Sequence, residues 1–410
     1  MSITATIDGA TVTWRDRKRY LWLLGIIVPL LPFGAWRNAT EHGLDVFWWL
    51  GPIFVLVVIP ILDAVLGEDR SNPPEWAVEQ LAEDRFYRVC TFLFVPVQYA
   101  TLALACWVVT NVEMSWLDTI GYVLTVGTVA GVGINTAHEL GHKSDKVERL
   151  LAKFALAQSG YGHFVVEHNR GHHNRVATPE DPASSRIGET FWEFLPRTVV
   201  GSARSGWHLE AKRLRAQGKP VLSLQNDVLT SWLLTPLLFG TLTAVFGWKV
   251  LPFLVAQAIF GFSLLEVVNY LEHYGLLRQQ DANGRYERCR PEHSWNSNHV
   301  ASNVLLYQLE RHSDHHAHPT RRYQALRHFE ESPQLPSGYG LMLGLAYVTP
   351  LWRKVMDRRV LDHYEGDITR ANIHPRNRDK VLAKYGPGTA EAEASKARVA
   401  ARSGAAPVAA

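Results

Sequence analysis

Six stretches of this chain are too long and too apolar to share the core of one soluble domain. They run approximately over Tyr20–Trp36, Val46–Leu66, Tyr87–Thr110, Leu117–Asn135, Val228–Trp248 and Leu251–Tyr270. A helix needs about 20 mostly apolar residues to cross a hydrocarbon core of ~30 Å. Charges are nearly absent from their interiors, with Asp63 and Glu266 as exceptions. Tryptophans bracket them at Trp22, Trp36, Trp48, Trp49, Trp107, Trp116, Trp232 and Trp248, where amphipathic rings anchor at a bilayer surface. The first run follows a basic segment without a small-residue cleavage site, which reads as an anchor and not a signal peptide. The expected fold is all-α, a bundle of six transmembrane helices.

Charge orients the bundle. Arg15, Arg17, Lys18 and Arg19 precede the first run, and the long segment between the fourth and fifth is studded with Lys and Arg from Lys143 to Arg215. The connections on the opposite side carry only Arg37 and Lys249. By the positive-inside rule both termini and the long loop lie in the cytoplasm. Three broader classes are excluded. A net charge of +3 is too small for a nucleic-acid binder. Cys90, Cys106 and Cys289 have no paired spacing, which rules against a disulfide framework, a thiolate zinc site and an iron–sulfur centre. There is also no G-x-G-x-x-G fingerprint for a bound dinucleotide.

Histidine is the compositional outlier, with 18 copies. Four groups fall on the side assigned to the cytoplasm. They are His138-Glu139-Leu140-Gly141-His142, Glu167-His168-Asn169-Arg170-Gly171-His172-His173, Asn269-Tyr270-Leu271-Glu272-His273-Tyr274-Gly275, and Leu309-Glu310-Arg311-His312-Ser313-Asp314-His315-His316. Residues three and four apart share a helix face. His138 with His142 is therefore expected to grip one ion, and His168 with His172 another pair of bonds. His312, His315 and His316 form an i, i+3, i+4 triplet. With His173 and His273 the set reaches nine imidazoles, too many for one ion and enough for two. Imidazole alone does not choose among zinc, iron, copper and nickel. Glu139, Glu167, Glu272 and Asp314 are placed to accept imidazole N–H bonds from behind the ligands. His163, His293, His299, His318 and His328 lack paired spacing and read as core or hydrogen-bonding residues.

Two other chemistries share parts of this pattern. His138-Glu139-x-x-His142 matches the zinc-protease motif, but one zinc leaves the remaining paired histidines without a role. A metal transporter would hold its ligands near the membrane midplane on broken helices, whereas these groups gather at one boundary.

Taken together, the four segments resemble the signature set of the AlkB-type alkane 1-monooxygenases, within the wider superfamily of membrane di-iron hydroxylases and desaturases. The likeness runs from about Tyr20 to Tyr385. It includes Leu66-Gly67-Glu68-Asp69-Arg70-Ser71-Asn72-Pro73-Pro74-Glu75 and His293-Ser294-Trp295-Asn296-Ser297-Asn298-His299, while Asn269–Gly275 narrows it to alkane hydroxylases. The resemblance implies a bacterial inner-membrane enzyme with two non-haem irons. Their ligands would be His138, His142, His168, His172, His173, His273, His312, His315 and His316. It implies O2-dependent hydroxylation of the terminal methyl of medium-chain n-alkanes. Electrons would come from rubredoxin, itself reduced by an NAD(P)H-dependent reductase and docked on the cytoplasmic side near the C-terminal region. A xylene-type methyl hydroxylase and a fatty-acyl desaturase are the neighbouring alternatives.

An alkane has no polar handle, so recognition rests on burial at about 0.8 kcal/mol per CH2 in a narrow channel ending at the metals. Trp48, Trp49, Phe54 and Val55 of the second run are expected to wall it. In some family members a bulky residue at the place of Val55 limits chain length, so Val55 predicts tolerance of longer chains. Residues 1–19 are expected to be a cytoplasmic segment, 20–385 the membrane hydroxylase domain with its histidine-rich helical cap. Residues 386–410, rich in Ala, Gly and Ser, read as a flexible tail or linker.

Overall fold

A computed structural model describes residues 2–403. Six helices in it are long and apolar enough to cross a membrane: Arg19–His42, Asp45–Leu66, Arg85–Asn111, Trp116–Gly141, Asp227–Phe246 and Val250–His273, here the first to sixth spans. The protein is a multi-pass membrane protein. Three of the spans start where a side chain satisfies free N–H groups. Ser115 and Asp118 form a capping box on the fourth. Asp84 accepts from Phe86 N at 2.9 Å on the third. Asn226 accepts from Val228 and Leu229 on the fifth. Outward-facing Leu30, Val57, Ile61, Leu237 and Ile259 stay exposed, an apolar belt suited to lipid. Trp116 and Trp248 stand out at span ends.

The fourth and sixth spans pack parallel, backbone against backbone, through small residues. A methyl added at Gly127 would sit 2.8 Å from the Gln257 carbonyl, and one at Gly131 3.0 Å from that of Gly261. Advancing four residues on both helices preserves this register. It therefore brings His142 level with Glu272 and His273 at the end of the bundle. The second span is tied to the fourth by Thr125, whose hydroxyl donates to the Trp48 carbonyl at 2.7 Å and accepts from Gly51 N at 2.9 Å.

The second span is not a regular helix. It opens as a tight turn over Asp45–Trp49, continues through Leu50–Ile53, widens over Phe54–Val58, and resumes as Ile59–Leu66. Pro60 has no N–H to offer the Leu56 carbonyl, and a widened turn is one way a helix absorbs such a gap.

Two terminal regions differ from expectation. The first residues depart from the all-α expectation: Ser2–Ile7 and Ala10–Arg15 pair as an antiparallel hairpin, reversed at Asp8 and Gly9, both at positive φ. This is the one sheet among the described residues of an otherwise helical fold, and Ile3 buries it against Trp22 and Leu81. The expected flexible tail is, over Ala390–Ser403, a helix. It docks on helix Thr349–His363 through buried Ala392 and Ser395; Arg398 pairs with Asp362 at 2.6 Å. Alanine is the strongest helix former, and the run Gly386-Pro387-Gly388 lies before this helix and not inside it. The final residues, 404–410, lie outside the described ones.

Candidate metal centre

Four pieces of chain deliver the nine histidines to one end of the bundle. His138 and His142 close the fourth span, their rings 5.0 Å apart, and His273 closes the sixth. His312, His315 and His316 lie on the short helix His312–Ala317. Buried Arg311 aims that helix by donating to the carbonyls of Asp69, Ser71 and Leu326. Ser313 N fixes it to Asn296 Oδ1 at 2.9 Å. The segments around Asp69 and Asn296 thus act as a brace for the histidines.

The remaining three come from a distorted stretch. Phe164–Glu167 is α-helical, but His168–His172 is a wide turn in which His173 N–H reaches the His168 carbonyl five residues back. Gly171 makes room for the clasp over it: a methyl there would lie 2.6 Å from Arg175 Nη2, which pairs with Glu167 at 2.9 Å.

The rings sort into two clusters. His138, His142, His168, His173 and His315 form one; His172, His273, His312 and His316 form the other. Within each, one nitrogen per ring lies within 4.8 Å of all the others. Closest approaches are His138–His315 at 2.8 Å, His168–His173 at 3.0 Å and His173–His315 at 3.1 Å in the first. In the second they are His312–His316 at 2.8 Å and His273–His312 at 3.2 Å. Around an ion with metal–imidazole bonds of about 2.1 Å, neighbouring donors fall roughly 3 Å apart. The Nε2 atoms of His142 and His172 are buried without a hydrogen-bond partner. Such convergence of unpartnered nitrogens costs free energy unless something positive sits among them. The residues fit a pair of metal ions.

The division departs from simple helical spacing. His168 was expected beside His172; instead it joins His173, while His172 serves the other cluster. The wide turn brings i and i+5 into line in place of i and i+4. The triplet also splits, His312 and His316 to one cluster and His315 to the other.

Electrostatics keep the donors available. Burial, reinforced by neighbouring rings, holds His142, His168, His173, His312, His315 and His316 well below the ordinary imidazole value, so their lone pairs are free at neutral pH. His172 is the exception. Burial lowers it, but the Asp181 carboxylate prevails and its pKa rises. Asp181 Oδ2 lies 2.8 Å from His172 Nδ1 and also accepts from Ser184 Oγ at 2.6 Å. Against burial, these partners pull Asp181 down to about 2. His273 Nδ1 reaches the His293 carbonyl at 3.3 Å.

Three of the four carboxylates expected behind the ligands are otherwise engaged. Glu139 pairs with Lys143 at 3.0 Å and Glu167 with Arg175. Asp314 holds Arg321 and His318 at 2.6 and 2.8 Å. Each forms an ion pair beside the site because a cation is closer than any imidazole N–H. Glu272 alone touches a cluster ring, and from the front: its Oε2 lies 3.2 Å from His312 Nε2, the nitrogen facing His273 and His316. Tyr339 OH donates to its other oxygen at 2.8 Å. Asp181 and Tyr339 carry no motif signal, and Arg311, though inside the fourth histidine segment, was given no role there; their roles arise across loops far apart in sequence. His163, His293, His299, His318 and His328 all lie outside the clusters and bond other groups, His163 accepting from Trp232 and His318 facing Asp314.

A narrow apolar cavity approaches the clusters from the membrane side. Phe54, Val55, Ile59, Gly131, Leu264 and Leu343 line it, together with Asn135, Val268 and Leu309. Those last three precede His138, His273 and His312 by three to five residues. Trp48 and Trp49 do not line it, contrary to expectation. The tight turn Asp45–Trp49 sends Trp48 onto Tyr122, ring centroids 5.1 Å apart, and Trp49 over Gly121.

Fold and site together define a membrane protein of helical spans carrying two histidine clusters able to hold metal. Residues 114–345 match the family model described as fatty acid desaturase. The chain is 47% identical to the alkane 1-monooxygenase of Acinetobacter baylyi over 90% of its own length and 92% of that protein. It is 46% identical to that of Ectopseudomonas oleovorans over 94% and 96%. A more distant relative is the xylene/toluene monooxygenase hydroxylase component of Pseudomonas putida, 27% identical over 75% of this chain. The chain belongs to the alkane 1-monooxygenase family.

Proposed function

We propose that the protein hydroxylates the terminal methyl of medium-chain n-alkanes with O2, at two non-haem irons held by the nine clustered histidines. In the overall reaction an alkane, O2, two electrons and two protons give a primary alcohol and water. A rubredoxin, re-reduced by an NAD(P)H-dependent reductase, is the proposed electron source, and the bacterial inner membrane the proposed location, with clusters and termini cytoplasmic. The observation that carries the reading is a greasy cavity whose lining includes Asn135, Val268 and Leu309, each three to five residues before a histidine of the two imidazole clusters.

Bound iron would supply the O2 activation that no side chain can. The protein's own groups do the rest. Phe54, Val55, Ile59 and Leu264 strip water from the chain and keep it extended, so that only an end carbon arrives between Asn135 and Leu309. His138, His142, His168, His173 and His315 would hold one ion, and His172, His273, His312 and His316 the other. Asp181 holds the His172 Nδ1 proton and thereby fixes which nitrogen faces its cluster. Glu272, oriented by Tyr339, is a carboxylate placed to hold a proton beside the second cluster.

Purified protein in lipid nanodiscs, supplied with rubredoxin, reductase and NADH, is expected to convert octane to 1-octanol and to contain two irons per chain. Xylene as the preferred substrate, or desaturation of a fatty acyl chain, would replace this reading with one of its neighbours. One zinc without iron would point to the protease.

A further inference from the structure

On the histidine side of the bundle, helix Thr349–His363 and the C-terminal helix enclose a cleft of about 560 Å³. Arg358, Arg359, Arg398 and Arg402 line it around one carboxylate, Asp362. Asp362 is taken by Arg398 at 2.6 Å and, more loosely, by Arg402 at 3.8 Å. Arg358 is exposed with no counter-ion among the described residues, and Arg359 spends its guanidinium on the Val355 carbonyl. Burial and the neighbouring Arg402 and Arg358 charges depress the Arg359 pKa. Crowding like charges is unfavourable unless an anionic partner arrives to offset it.

The floor of the cleft is Trp295. Its indole N–H donates to the Tyr274 carbonyl at 3.0 Å and its backbone N–H to the Glu272 carbonyl at 2.8 Å. These carbonyls flank His273, a member of the second cluster. The cleft is thus one hydrogen bond and one peptide link from a candidate ligand. A second basic cleft, beside His142, differs in that its cations are matched: Arg149 and Lys153 with Asp227, Arg170 with Glu210, Lys143 with Glu139.

We infer that the arginine cleft over Trp295 is the docking site of an acidic one-electron carrier protein, which hands its electrons to the centre by way of Trp295 and the His273 backbone. The inference rests on the proposed rubredoxin-dependent reaction. Each docking oxidises one carrier and delivers one electron, so two successive dockings supply the pair that reduces O2, while its two protons come from water. Such transient interfaces are small and steered by charge, so rates and affinities fall with salt.

Arg358→Glu and Arg402→Glu change exposed side chains and leave the fold intact. In nanodiscs of zwitterionic lipid, binding of a purified acidic rubredoxin should weaken with salt for the unaltered protein. Each substitution should raise Kd and the donor KM by about tenfold, with kcat at saturating donor little changed. Unchanged binding and donor KM in the double variant would overturn the site. So would a loss confined to Arg149→Glu with Lys153→Glu, which would move docking to the other cleft. An effect seen only as lost association with vesicles of anionic lipid would make the cleft a headgroup site. If the unaltered protein neither binds nor accepts electrons from rubredoxin, the donor reading itself fails, and the docking site with it.

Discussion

Among single residues, Asp181 gives the sharpest test of how the second cluster is held. It is fully buried, accepts from His172 Nδ1, and is itself oriented by Ser184 and the Ala183 N–H. Losing a carboxylate that orients a ligating imidazole commonly costs about 10–100-fold in metal affinity. Asp181→Ala is therefore expected to bind iron more weakly. Metal counted by mass spectrometry after a graded chelator challenge should fall toward one ion per chain, with the first cluster still occupied. Retention of both ions would show that His172 needs no such partner. The nine histidines were legible in the sequence because H-x-x-x-H and H-x-x-H-H recur on one side of the membrane. Their division between clusters was not: it depends on the wide turn at His168–His172, and Gly171 signals that turn only once Glu167 and Arg175 are seen to clasp across it. Asp181 lies in an irregular loop, nine residues from its partner, where no periodicity marks it.

At the level of elements, the widened turn of the second span determines what the cavity admits. Phe54 and Val55 fall within it, and the Val55 carbonyl lies so near the facing helix that a methyl on Gly340 would sit 2.7 Å away. Val55→Trp should fill the passage at this point. Denying burial to four methylenes costs about 3 kcal/mol, or roughly a hundredfold in kcat/KM for the longest substrates. Product yields across an n-alkane series should show the upper chain limit dropping while the shortest substrates are kept; an unaltered limit would place the substrate elsewhere. All six spans were legible, because twenty consecutive apolar residues have few alternatives. The hairpin was legible too, but unread: Asp8-Gly9 between runs of alternating Thr and aliphatic residues is a strong turn signal. The C-terminal helix was obscured by its own composition, since Ala serves a linker and a helix equally well until Asp362 is found beside Arg398.

For the molecule as a whole, the clusters make stability depend on pH. His142, His168, His173, His312, His315 and His316 are held neutral when folded, yet each takes up a proton near pH 6.5 once unfolded. Below that pH the unfolded chain binds more protons, so folding stability falls as the solution is acidified. His172, raised by Asp181, works in the opposite sense, as do the buried carboxyls of Glu167 and Glu310, which burial pushes up to about 7 and about 8; the six imidazoles outnumber these three. The metal-free protein in detergent should accordingly show a melting temperature that declines from about pH 7 toward pH 5.5. A flat or rising profile would mean that these rings are solvated and protonated in the native state. Bound metal should leave the sign unchanged, because protons compete for the same nitrogens.

His172 and His173 are adjacent in the chain and serve opposite clusters, as do His315 and His316. Two neighbouring pairs, each about 3.8 Å from α-carbon to α-carbon, therefore act as rigid rulers between the pockets. The separation of the two centres is set by covalent geometry rather than by a bridging side chain free to swing, so neither pocket can drift or be rebuilt without dragging its twin along.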